Sequence, residues 1–375
     1  MQQTFNDRDL LLKKIEAPAF SGESSAYAFT LSPELEAHEP PEERGVGRDG
    51  VRLMVSYGSR PGIIHTHFRN LPDFFERGDV LVVNTSQTIN AAVRAARENN
   101  EPVELHFSNR LGAGEWIVEV RRPGPVASEP FFTARVGEEL SLEGGARVIL
   151  NSPFQISSRG AGEGQVRLWR ASVQMLLPEY TYLERYGFPI RYKHIPREWP
   201  LASYQTVYAT EPGSAEMPSA GRAFTRPILN RLEARGVAIA PLVLHCGIAS
   251  LEDHEFPPAE YYRVPAETAA AVNGAHENRN RVVAVGTTVI RALDTVTSRD
   301  GTTHPGEGWT EVLITPQRGI FSVDGLLTGF HEPRSTHLLM IEALAGREHV
   351  RQTYAQAIRG RYLWHEFGDL HLILP

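Results

Sequence analysis

Gly286-Thr287-Thr288 stands between an apolar, β-branched run, Val282 to Val285, and a stretch with helical spacing, Val289, Ile290, Leu293 and Val296. A strand that passes into a helix through a glycine and two hydroxyl residues leaves the first helical N–H groups beside a turn that a ligand can approach. Such a turn suits a phosphate or a carboxylate. A turn that merely caps its helix has the same composition, so neighbouring segments must decide. His245 follows the apolar strand pattern Val237 to Leu244, and His331 follows Gly325 to Phe330; each is a titratable group at a strand end. Ser335 or Thr336 then starts a helix through Leu338, Leu339, Ile341 and Leu344. His65 and His67 share one face of an alternating strand, but two histidines without a third ligand make a poor metal site, and none is expected.

These groups need a frame. Several apolar strands end in polar turns, and if the strands lie side by side in one sheet the turns line one crevice, the usual ligand position in open α/β sheets. Thr225 is placed to cap a helix over Pro227 to Arg235, closed by Gly236. Between residues 78 and 171 the texture differs. Short β-rich pieces (Val80 to Val83, Val103 to Phe107, Trp116 to Val120, Phe131 to Val136, Val148 to Leu150, Val166 to Trp169) alternate with Gly, Pro and Asn turns, including Gly160 to Gly164. That spacing fits a small barrel or sandwich.

The chain has 375 residues, 41% hydrophobic and 22% charged, enough apolar material for two cores. No window approaches the roughly 18 apolar residues that span a bilayer, and Met1 to Asp9 carries acids; a cytoplasmic protein with no membrane association is expected. The single Cys246 excludes an internal disulfide and reads as a buried, inert thiol. A net charge of −7 argues against nucleic-acid binding by the whole surface, yet leaves room for a local basic patch. Arg191-Tyr-Lys-His-Ile-Pro-Arg197 has the mixed basic and aromatic character of such a patch, and Arg347, Arg351, Arg359 and Arg361 lie late in the chain.

Seven segments in register carry a family resemblance: Tyr204-Gln-Thr-Val-Tyr208 with Pro212-Gly213, Pro218-Ser-Ala-Gly221, Leu244-His-Cys-Gly247, Val285-Gly-Thr-Thr288 with Arg291, Phe330-His-Glu-Pro-Arg-Ser-Thr336 and Gly368-Asp369. Together they resemble the S-adenosylmethionine:tRNA ribosyltransferase-isomerases of queuosine biosynthesis, over roughly residues 28 to 371. The resemblance implies an α/β fold in which a discontinuous domain, residues 1–76 and 172–375, is interrupted by a small β-barrel domain, residues 77–171. It also implies S-adenosylmethionine as co-substrate, with no prosthetic group, and tRNA as partner. The ribosyl portion goes to the aminomethyl group of 7-aminomethyl-7-deazaguanine, giving epoxyqueuosine and releasing adenine and methionine.

On this reading His331 and His245 are the acid/base candidates, with Glu260 as a carboxylate that could replace a lost histidine. Gly286, Thr287, Thr288, Arg291, Ser335, Thr336 and Asp369 would hold S-adenosylmethionine; Tyr204, Gln205, Tyr208, Ser219 and Gly221 would shape the pocket or stack on a base. Arg191, Lys193, Arg197 and Arg351 would meet tRNA phosphates, and a monomer is expected. The chain departs from the family pattern at several places. Ala223 and Pro258 stand where histidines are usual, and Asn84-Thr-Ser-Gln-Thr-Ile-Asn-Ala-Ala-Val93 lacks two arginines. Arg191-Tyr-Lys-His-Ile195 and Gly247-Ile-Ala-Ser-Leu251 replace the family's Leu-Pro-Pro-Tyr-Ile and Gly-Ala-Gly-Thr-Phe. These losses leave two alternatives open: a paralogue that uses S-adenosylmethionine on a small-molecule acceptor, and a non-catalytic binding protein on the same fold.

Overall fold

Every residue of Val80–Asn84 and of Val282–Val285 is buried, and strands covered on both faces belong in the middle of a sheet with helices on each side. The computed structural model describes residues 29–58, 62–156, 166–248, 258–333 and 335–375. The acidic N-terminus, the 160–164 turn, residues 249–251 and Arg334 lie outside them. Among the described residues a nine-stranded sheet runs in the order Gly306–Thr310, Glu260–Val264, Ala238–Leu244, Val80–Asn84, Val282–Val285, Gly325–Gly329, Leu370–Leu374, Arg52–Tyr57, Ile63–His67. Its four central strands, from Ala238–Leu244 to Gly325–Gly329, are parallel. Leu370–Leu374 pairs antiparallel with Gly325–Gly329 and parallel with Arg52–Tyr57.

One face carries Met54, Val82, Ala284, Leu326 and Ile373 beneath the helices Ala266–Glu277, Thr287–Val296, Thr336–Ala345 and Arg347–Arg359. The opposite face carries Leu53, Val83, Val285 and Leu372 beneath Arg226–Ala234 and the 3-10 turn Phe68–Phe74. The alternation follows from the two-residue period of each strand. The expected helix after Thr225 is present, but Thr225 makes no capping bond to it; its hydroxyl donates to Asp49 at 3.4 Å.

Six strands form the barrel: Ala92–Arg97, Pro102–Gly112, Glu115–Arg122, Glu139–Leu142, Arg147–Ile156 and Val166–Gln174, the last closing onto Glu115–Arg122. Its core, with Phe107, Trp116, Val118, Leu140 and Leu150, is separate from the two sheet cores. Two details differ from the sequence reading. Val80–Asn84 belongs to the centre of the large sheet and not to the insert, since a short β-branched run looks alike in either setting. Phe131 to Val136 is not a strand, although Phe131 fills the barrel core. At its far end the barrel is extended by the helix Glu179–Tyr186, which buries Tyr182 and Leu183 against it, and by Gly187–Phe188, which pairs with Ala92–Val93.

Candidate functional site

The four parallel strands end on one edge of the sheet, which brings His245, Ser86, Gly286 and His331 to that edge from adjacent strands. Because Leu370–Leu374 runs the other way, its start joins them: Gly329 stands opposite Leu370, so Gly368 and Asp369 border the same crevice. A small cleft opens there, lined among others by Arg48, Ser219, Arg222, Gly329, His365 and Gly368.

Gly286 has φ +93°, a conformation that glycine adopts without strain, and it turns the Val282–Val285 strand directly into Thr287–Val296. The 3-10 turn Ser219–Gly221 sits on it, with the Ala220 Cβ 3.5 Å from where a side chain at 286 would begin. Thr287 is buried, and the buried Thr288 Oγ1 has no protein partner. An unsatisfied hydroxyl beside the start of a helix is a group left for a ligand. Ser335 instead caps its helix: its Oγ accepts from the His337 N–H at 3.2 Å. Thr336 is the first residue of that helix.

His331 is half-buried. Its Nε2 lies 2.8 Å from Thr328 Oγ1, its N–H donates to the Tyr354 hydroxyl at 3.2 Å, and its carbonyl accepts from Trp364 Nε1 at 3.1 Å. The His337 ring stacks on it at 4.4 Å. Burial, helped by the neighbouring imidazoles, pushes its pKa well below 6.5, so it is neutral near pH 7. His245 is also depressed by burial. Its Nδ1 lies 2.8 Å from Ser86 Oγ, its Nε2 3.9 Å from Glu211 Oε1, and its ring stacks on Tyr261 at 5.6 Å. Gly213 packs its backbone on the imidazole so closely that a methyl group there would overlap the ring.

Three expected ligand groups have partners inside the protein. Arg291 ion-pairs with Glu260 and donates to the carbonyls of Val312, Pro258 and Thr310, while the other Glu260 oxygen accepts from the Gly247 N–H at 2.8 Å. Asp369 accepts from the N–H groups of Arg52 and Leu363, each at 2.8 Å, and pairs with the Arg52 guanidinium. These bonds tie separate elements together. Gln205 likewise brackets the Thr88 backbone, accepting at 3.1 Å and donating at 2.7 Å. Tyr204 is buried against Phe367, 5.2 Å between rings, and the Tyr208 hydroxyl occupies the space that a side chain at Gly221 would fill. Burial raises the pKa of both phenols. Ala223 is buried under the cleft, and beside it Arg222 donates to Glu42 at 2.9 Å, which Arg48 also holds at 3.3 Å.

One cluster escaped the sequence reading. His194 stacks on His365 at 4.0 Å and donates through Nε2 to Glu366 at 2.9 Å. Burial alone would lower the His194 pKa, but the Glu366 hydrogen bond and charge outweigh it and raise it above 6.5. The cue was His365-Glu366 immediately before Gly368-Asp369; His194 was read as one member of a basic run. In that run Lys193 is exposed and Arg191 half-buried, whereas Arg197 pairs with Glu43 at 3.1 Å and covers the Trp199 ring. Arg351 pairs with Glu348 of its own helix at 2.6 Å. Among the described residues no helix is long and apolar enough to cross a membrane.

A model of the family described as queuosine biosynthesis protein matches residues 24–373. The chain is 37% identical to the S-adenosylmethionine:tRNA ribosyltransferase-isomerase of Symbiobacterium thermophilum, the match covering 93% of this chain and 99% of that one. It is 39% identical to the protein of the same name from Rubrobacter xylanophilus, covering 92% and 96%. Among solved structures it is similar to the S-adenosylmethionine tRNA ribosyltransferase of Thermotoga maritima, with a TM-score of 0.51 and 30% identity over 93% of this chain and 100% of that chain.

Proposed function

The chain belongs to the queuosine biosynthesis protein family, and we propose that it transfers and isomerises the ribosyl moiety of S-adenosylmethionine onto 7-aminomethyl-7-deazaguanine in tRNA, giving epoxyqueuosine, adenine and methionine. The observation that carries this reading is the placement of His245, Gly286–Thr288 and His331 on one sheet edge, at the ends of parallel strands that run side by side there with Val80–Asn84 between the first two. The reaction asks for a base at the carbon beside the sulfonium, proton assistance to departing adenine, and a neutral acceptor amine. His331, kept neutral by burial, has a lone pair for the first task. His245, at the other end of the row, serves the second. The Thr288 hydroxyl and the start of its helix receive the carboxylate or ribose hydroxyls of S-adenosylmethionine. Ser335, occupied as a cap, orients the helix that follows His331.

Arg191 and Lys193 are the phosphate contacts this reading favours, because Arg197 and Arg351 already hold carboxylates. A tRNA substrate supports the cytoplasm. The test is adenine release from S-adenosylmethionine by the purified protein, with and without tRNA carrying 7-aminomethyl-7-deazaguanine. Release that needs the modified tRNA and falls about 10²-fold or more in His331→Ala is expected. Release that is indifferent to the tRNA would overturn the acceptor, and absence of release with bound S-adenosylmethionine would overturn the reaction.

A further inference from the structure

We infer that Ser86 and Ser214 are positioning residues that hold His245 as its Nε2–H tautomer, so that this imidazole offers the substrate a hydrogen-bond donor and does not act as the base. The inference rests on the reaction proposed above for its catalytic part, and on hydrogen-bond accounting for its structural part.

Ser214 is wholly buried and Ser86 nearly so. The Cys246 N–H donates to Ser214 Oγ at 2.9 Å, Ser214 Oγ lies 2.6 Å from Ser86 Oγ, and Ser86 Oγ lies 2.8 Å from His245 Nδ1. Each hydroxyl has one hydrogen to place. If Ser214 donates to Ser86 and Ser86 donates to Nδ1, every hydrogen in the row has an oxygen or nitrogen acceptor. If the row runs the other way, from Nδ1–H through Ser86 to Ser214, the last hydrogen is left with the Cys246 sulfur, a weak acceptor, inside the protein. The first direction is therefore favoured. The far edge of the ring gives the same answer independently. Nε2 faces the Glu211 carboxylate at 3.9 Å, itself held by Arg263, and a carboxylate attracts an N–H and repels a lone pair.

Gly213 packs against the ring and Tyr261 stacks on it at 5.6 Å, so its orientation is held from outside the serine row as well. A neutral His245 so fixed has its lone pair spent on Ser86 and its proton directed outward, the arrangement a departing nitrogen base requires. The Nε2–H stays on the ring and gives the departing adenine nitrogen a hydrogen bond as negative charge develops there, so no proton leaves the serine row and none of its oxygens becomes charged.

The test has two arms. In protein labelled with 15N at the histidine side chains, with His245 assigned through His245→Gln, Nδ1 of His245 is expected to resonate as an unprotonated nitrogen and Nε2 as a protonated one; the reverse pattern would overturn the tautomer. In Ser86→Ala the two forms should mix, and kcat for adenine release should fall about tenfold or more with KM little changed, while Ser86→Thr, which keeps the hydroxyl, restores both. A Ser86→Ala enzyme with the tautomer mixed and kcat at the wild-type level would overturn the role in catalysis. Because the spectrum is taken without substrate, a wild-type protein that releases no adenine would sink the proposed reaction and leave the tautomer to be judged by the spectrum alone.

Discussion

Glu260 and Arg291 form a buried ion pair that ties the strand Glu260–Val264 to the helix Thr287–Val296, with the Gly247 N–H completing the carboxylate. Removing one partner leaves the other charged and unpaired in the interior, which typically costs about 3–5 kcal/mol. Glu260→Ala is expected to lose stability on that scale in urea unfolding while the folded fraction releases adenine at a near-normal rate. A variant of normal stability but without turnover would move Glu260 from the frame to the chemistry.

Gly213 offers a steric test of His245. Its backbone lies outside the left-handed region, so alanine introduces no backbone strain, and the three atoms nearest the added methyl group all belong to the imidazole. Gly213→Ala should therefore tilt the ring away from Ser86 and lower kcat by about tenfold or more, with circular dichroism and the unfolding midpoint close to wild type. Unchanged kcat would mean that the ring position does not matter to the reaction.

Much of this was legible in the residues themselves. The Gly-Thr-Thr turn after a β-branched run, the strand end at His245 and the cap at Ser335 all stand where periodicity and capping chemistry put them. The barrel was readable from its turn spacing, but its border was not: Val80–Asn84 carries no mark that separates a central parallel strand from a barrel strand, because burial on both faces erases the alternation. Arg291 and Asp369 illustrate a second limit. Their charge suggested ligand contacts, and what decides between ligand and clamp is which carbonyls and N–H groups arrive from distant segments, such as Val312 and Leu363. Ser86, likewise, becomes meaningful once pairing of Ser86–Thr88 with Glu211–Ser214 sets it beside Ser214 and His245.

The His194–Glu366 pair gives a pH signature. His194 has a pKa raised above 6.5 in the fold, because Glu366 outweighs the opposing effect of burial, so its contribution to stability is present below 6.5 and lost as pH rises through the raised value. Glu366 has a pKa held below 4.5, since burial would raise it but the His194 hydrogen bond and charge, with a backbone hydrogen bond and the His365 charge, together outweigh burial, so its contribution is present above 4.5 and lost as pH falls through the lowered value. Both act together between 4.5 and 6.5. The Tm difference between wild type and Glu366→Gln should be largest in that window and shrink on either side. A difference that stays flat from acid to alkaline pH would show that the pair is not ionised.

The basic segment makes a quantitative prediction for tRNA. Each phosphate neutralised by a cationic side chain contributes about 0.7–0.9 to the slope of log K against log salt. Lys193 is exposed and Arg191 half-buried, with no carboxylate bonded to either among the described residues, whereas the Arg351 guanidinium donates through Nε and Nη2 to both oxygens of Glu348. Lys193→Ala and Arg191→Ala should each flatten the slope by about one phosphate, and Arg351→Ala should leave it unchanged. The comparison is made by measuring tRNA affinity across a salt series for the three variants. Equal slopes for all of them would place the RNA on another face, and a flatter slope for Arg351→Ala alone would mean that Glu348 releases its arginine when tRNA arrives.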